Sequence, residues 1–146
     1  MILALLVAWQ AAAVVPEAIG RDLDASCAGW TLAAVIPEVA AEIRGRTPEW
    51  PANFIGGDFD QNGRADVALL SECNGRVQLL AFLAGPSGYT KHVVEDAQPP
   101  DPREFLHLID RNSTGGYERD AIGVEYHLIG GKAWIFRGDR WQSSAR

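Results

Sequence analysis

Between residues 57 and 70 the chain reads Gly-Asp-Phe-Asp-Gln-Asn-Gly-Arg-Ala-Asp-Val-Ala-Leu-Leu: spaced oxygen-bearing side chains, then an unbroken apolar run. Asp58, Asp60, Asn62 and Asp66 stand at relative positions 1, 3, 5 and 9, with Gly63 at position 6, where a tight loop needs a residue tolerant of positive φ. Such alternation turns side chains toward one centre. Calcium takes about six to eight hard oxygen ligands, and three carboxylates, the Asn62 amide, the Arg64 backbone carbonyl and water can supply them. Three crowded carboxylates repel one another unless a cation sits between them. A helix-loop-helix calcium hand needs a bidentate Glu at position 12, and Leu69 stands there. Val67 to Leu70 instead predicts a strand covered on both faces. A metal-free reading stands beside the calcium one, because Asn62-Gly63 is a strong hairpin-turn pair and Asp-rich turns often bond their own backbone.

The residues Gly57-Asp58-Phe59-Asp60-Gln61-Asn62-Gly63-Arg64-Ala65-Asp66-Val67-Ala68 resemble the FG-GAP/VCBS type of repeat, roughly G-D-F-D-G-D-G-x-x-D-hydrophobic. The resemblance implies a loop that opens a β-sheet blade and holds calcium. Asp58, Asp60, Asn62 and Asp66 would then be side-chain ligands, and Arg64 a carbonyl ligand. Propellers of such blades need several copies, and this chain has room for about two.

The 146 residues, 47% hydrophobic and 22% charged, suit one globular domain once any leader is removed. A net charge of −6 argues against nucleic acid, since no basic patch is present to displace counterions from phosphates. Ile2 to Val15 is apolar apart from Gln10, and small residues offer cleavage after Ala13 or Ala18. Residues 1–20 are therefore expected to be a signal peptide, which implies a secreted or periplasmic protein with no membrane attachment after leader removal. No Lys or Arg precedes the apolar core, and the alternative is a short membrane anchor, although the run falls short of the ~20 residues a spanning helix needs. Cys27 and Cys73 are the two cysteines, and in an exported chain an even count suggests one disulfide; two buried free thiols are the alternative.

The domain over 21–146 is expected to be α+β: mainly an antiparallel β meander in two diverged blade-like repeats, with one N-terminal helix packed on it. Residues 21 to 30 read as irregular lead-in. Leu32, Val35, Ile36, Val39 and Ile43 fall at helical spacing, which predicts a helix within 32–45 whose regular part starts near Pro37. The first β repeat covers 54–94, with turns at Asn74-Gly75 and at residues 85–88. Residues 95 to 102 read as a proline-rich connector, and the second repeat covers 103–144 with a turn at Gly130-Gly131. Aligning Asp66 with Asp120 makes Asp110, Asn112 and Asp120 a candidate second, weaker metal site. In the last hairpins, Ile122, Val124 and Tyr126 share one face, while Trp134 and Phe136 oppose Ala133 and Ile135.

Catalytic signals are thin. His92, His107 and His127 fall in separate segments, and neither Ser71 nor Ser87 lies in a nucleophile elbow. The leading expectation is an exported, non-catalytic domain with a structural calcium loop. Two alternatives remain: a protein-interaction or adhesion module using open sheet edges, with no partner identified, and a metal-dependent hydrolase.

Overall fold

The computed structural model describes residues 15–47, 50–113 and 115–145. Its helices are α1 (Glu17–Ser26) and α2 (Pro37–Arg46). Its strands are β1 (Thr31–Leu32), β2 (Phe54–Gly57), β3 (Asp66–Cys73), β4 (Arg76–Gly85), β5 (Gly88–Gln98), β6 (Glu104–Ile109), β7 (Ala121–Tyr126), β8 (Gly130–Arg137) and β9 (Arg140–Ala145). The fold is β-rich α+β, with every strand pair antiparallel.

The apolar run after the acidic loop becomes β3, and its residues from Asp66 to Ser71 are all buried. It pairs with β4 along one edge, while β2 and then β1 lie end to end along the other. Strand β5 completes this first sheet, and β6 to β9 form the second as a simple meander. Ala68, Leu70, Leu79 and Ala81 of the first sheet face Leu106, Ile122 and Val124 of the second in one shared core. The alternate β3 side chains, Val67 and Leu69, point the other way and are covered by Val15, Ile19 and Leu23 of the α1 segment. Burial on both faces is why this strand lacks polar alternation. Val39 and Ile43 of α2 pack on Phe105 of β6.

The periodicity of the last hairpins holds in three dimensions. Tyr126, Trp134 and Phe136 pack against the shared core with Ile122 and Val124, while Ala133 and Ile135 belong to a separate cluster with Ile109 and Ala121. Gly123 sits directly beneath the His107 imidazole, where a Cβ would collide with the ring.

Several element boundaries differ from expectation. Residues 21–26 are not irregular lead-in but the second half of α1, whose apolar Ile19 and Leu23 lie one helical turn apart. The helix expected within 32–45 begins at Pro37, the expected start of its regular part, and there the missing N–H costs nothing because a first-turn amide has no intrahelical acceptor; residues 32–36 are not part of it. Leu32 instead pairs with Ser71 in β1. Strand β5 runs on through Gln98, past the expected connector start at residue 95, with register shifts between Val77 and Leu80 accommodating its extra length. The turn expected at Gly130-Gly131 lies instead over His127, Leu128 and Ile129, between β7 and β8, and Gly130-Gly131 open β8.

Cys27 and Cys73 form a disulfide with Cα atoms 6.4 Å apart, joining the end of α1 to the end of β3. No free cysteine remains among the described residues, so the free-thiol alternative falls. The expected leader lies outside the described residues as far as residue 14; residues 15–20 belong to the α1 segment, with Val15 and Ile19 buried. No described helix is long and apolar enough to cross a membrane.

Candidate metal centre

The acidic loop spans the gap between Gly57, the last residue of β2, and Asp66, the first of β3, which are paired across the ladder. Phe59 anchors it. Its ring is fully buried, in edge contact with Trp141 at 5.9 Å, and Gly57 makes room for it because a Cβ there would come within 2.9 Å of the Phe59 ring. With Phe59 turned inward, Asp58 and Asp60 on either side turn away from the core. Positive φ at Gln61 (62°) and Gly63 (81°) then curls the chain back toward Asp66.

Asp58, Asp60 and Asp66 each offer a carboxylate oxygen, and the three atoms lie within 4.8 Å of one another. That separation is within twice the calcium–oxygen distance of roughly 2.3–2.6 Å, as a shared ion requires. Asp66 is fully buried, accepting from Phe59 N through Oδ2 at 2.8 Å and from Ala84 N through Oδ1 at 2.8 Å. Burial pushes its pKa up to about 6 against the pull of these two amides, and the charges of Asp60 and Asp58 push it further in the same direction. Asp58 accepts from Gly63 N through Oδ2 at 2.9 Å, while its Oδ1 is buried and has no hydrogen-bond partner among the described residues. A buried carboxylate oxygen without a donor is costly, and a cation at the centre of the three acids would satisfy it.

Asn62 has both ends of its amide engaged: Nδ2 donates to Ala84 O at 2.6 Å, and Oδ1 accepts from Arg64 N at 2.9 Å. One lone pair on Oδ1 remains. Arg64 is exposed on the outer turn of the loop. The loop therefore combines features of both expectations, an Asx-type turn bonded to its own backbone and a convergent set of acids.

The loop between β6 and β7 occupies the matching place in the second sheet, between the paired residues Ile109 and Ala121. Its hydrogen bonds parallel those of the first. Asp120 Oδ1 accepts from Arg111 N at 3.0 Å as Asp66 Oδ2 accepts from Phe59 N, and Asn112 N donates to Asp110 Oδ1 at 2.7 Å as Asn62 N donates to Asp60 Oδ1 at 3.2 Å. Asp110, Asn112 and Asp120 are not part of the acidic cluster formed by the first loop. The remaining Asp120 oxygen, Oδ2, accepts from Asp58 N at 2.9 Å. Gln61 Nε2 makes a second link between the loops, to Glu118 O at 2.9 Å. Sequence reasoning missed Phe59, Gln61, Ala84 and Glu118; the Gly-x-Phe pattern was the only local signal for any of them.

The three histidines meet different partners. His92 packs edge-on to Phe136 at 5.4 Å, His127 faces Glu42 at 3.9 Å, and His107 faces Glu125 at 3.7 Å. His107 also lines a cavity of about 220 Å³ walled mainly by Trp50, Phe54, Ile55 and Phe105.

Comparison of the chain with protein-family models, with curated proteins and with solved structures finds no match.

Proposed function

We propose that this chain is an exported, non-catalytic β-sheet domain whose first interstrand loop binds a structural calcium ion. The carrying observation is the convergence of Asp58, Asp60 and Asp66 around a buried Asp58 oxygen that has no donor among the described residues. These three side chains would hold the ion, with the Asn62 amide oxygen and the Arg64 carbonyl as further ligands and water completing the shell. The ion would offset two of the three carboxylate charges and fix the turn between β2 and β3. Parallel hydrogen bonding in the two loops supports reading the sheets as diverged copies of one blade-like unit, of the FG-GAP/VCBS type that the first loop resembles. Export, to a secreted or periplasmic location, is supported by the disulfide and by the apolar N-terminal sequence.

Calorimetric titration of the full chain with calcium, after chelator treatment, tests this reading. Saturable binding of about one ion per chain is expected, lost in Asp60→Ala. Absence of a binding isotherm at millimolar calcium refutes it.

A second reading, as a protein-interaction module, draws on two observations. Strands β5 and β9 each pair along one edge only, and the hairpin tip bears Leu128 and Ile129 at 93% and 68% exposure. Mass measurement across a concentration series tests for self-pairing.

A further inference from the structure

Asp120 and Asp58 lie 62 residues apart, in loops of different sheets, yet the carboxylate of one accepts from the backbone amide of the other. Each Asp120 oxygen has a backbone donor: Oδ2 takes Asp58 N and Oδ1 takes Arg111 N. The side chain is thus a bridge between the start of the β6–β7 loop and the start of the acidic loop. Within Asp58 itself, the backbone N–H is held by Asp120 and one carboxylate oxygen by Gly63 N, while the other oxygen is the buried one without a donor among the described residues. The peptide of Asp58, held by Asp120, and its Oδ2, held by Gly63, together set the direction of that oxygen.

Gln61 points to the same coupling. It holds a positive φ of 62°, a conformation that side chains disfavour and glycine adopts freely. The side chain that glycine would lack is the one that donates to Glu118 O, two residues before Asp120. Both cross-links run between the acidic loop and residues 118–120.

We infer that Asp120 is a positioning residue for the calcium site, acting through the Asp58 amide, so that ion binding in the first loop and docking of the second sheet strengthen each other. The inference rests on the calcium reading above. It assigns Asp120 a different task from the second-site ligand expected from sequence. Linkage makes the effect reciprocal: a bridge that raises calcium affinity is itself tightened by calcium. Outer partners of metal ligands typically change affinity by about 10–100-fold when removed.

The test uses the full chain as wild type, Asp120→Asn, Gln61→Ala and Asp60→Ala, each confirmed as folded by its circular dichroism before titration with calcium. Terbium luminescence lifetimes then count the waters on a bound ion. Asp120→Asn is expected to weaken calcium about tenfold with the water count unchanged, and Gln61→Ala to weaken it by a smaller factor. In wild type, calcium should slow hydrogen exchange at the Asp58 and Arg111 amides together. Wild-type affinity in Asp120→Asn overturns this inference and leaves the calcium reading standing. An added water on terbium in Asp120→Asn also overturns it, by making Asp120 a direct ligand. No calcium binding by wild type removes both.

Discussion

The indole Nε1 of Trp134 donates to Glu95 Oε1 at 2.6 Å, joining β8 of the second sheet to β5 of the first. Lys132 reaches the same oxygen at 2.8 Å and lies 5.4 Å from the centre of the Trp134 ring. The Asp58–Asp120 link joins the two loops, and this cluster joins β5 to β8. The two sheets are therefore pinned by polar contacts in addition to apolar burial.

Trp134→Phe keeps most of the buried ring but removes the donor to Glu95. The Glu95 side chain is only 11% exposed, so its lost donor is not fully replaced by water. A destabilisation of about 1–2 kcal/mol is expected, read as a lower urea midpoint with an unchanged slope.

Glu104 gives the domain a pH-dependent weakness. Burial raises its pKa above 4.5; the Tyr126 hydroxyl opposes this, nearby Glu95 adds to it, Lys132 opposes it and Asp101 adds to it. Between 4.5 and its raised value the folded protein holds this proton more tightly than the unfolded chain does. Stability from this group therefore falls as pH rises through that window. Glu104→Gln should remove that part of the slope and leave the variant at least as stable as wild type at pH 7. Urea midpoints at pH 4.5 and pH 7 check the sign, and an unchanged pH dependence would show that Glu104 does not set it.

Val15 and Ile19 are 7% and 0% exposed against the first sheet. Cleavage after Ala18 would remove Val15 and cut into the first turn of α1, whereas cleavage after Ala13 spares both. A chain beginning at residue 19 should be less stable than one beginning at residue 14 by at least about 1.5–3 kcal/mol, the cost of exposing one large apolar side chain. Urea denaturation of the two truncations distinguishes them, and intact mass of exported protein should place the processing site before Val15.

Calcium should act on stability as well as on binding. For a dissociation constant near 10 μM and calcium at 1 mM, linkage adds about 2.7 kcal/mol, with less gain for a weaker site. Thermal melts in calcium should lie above melts in chelator for wild type, and the two should coincide for Asp60→Ala. Coinciding wild-type curves would contradict a stabilising ion.

Much of the fold was readable from local pattern. The apolar run at Val67 to Leu70 marked a doubly covered strand, and Asn74-Gly75 marked a turn that adopts positive φ at both residues, 53° and 72°. Alternation also set Trp134 and Phe136 on one strand face, opposite Ala133 and Ile135, and in the fold that face meets the other sheet. These features follow from steric limits on a residue and its immediate neighbours, so a short window contains their cause. Helix α1 was hidden because its first turn continues the apolar leader pattern. The Pro37 start of α2 was legible, but Leu32 shares its spacing and only pairing with Ser71 assigns it to a strand.

The candidate site divides in the same way. Its three acids and its glycine are set by spacing within one loop, which the sequence states outright. That Asp66 is fully buried, that Asp58 keeps one oxygen without a donor among the described residues, and that Asp120 holds the Asp58 amide from the other sheet were decided by packing. Spacing along a chain limits which side chains can share a loop. It carries no information about which distant amide will meet a given carboxylate, because that meeting depends on how two complete sheets stack.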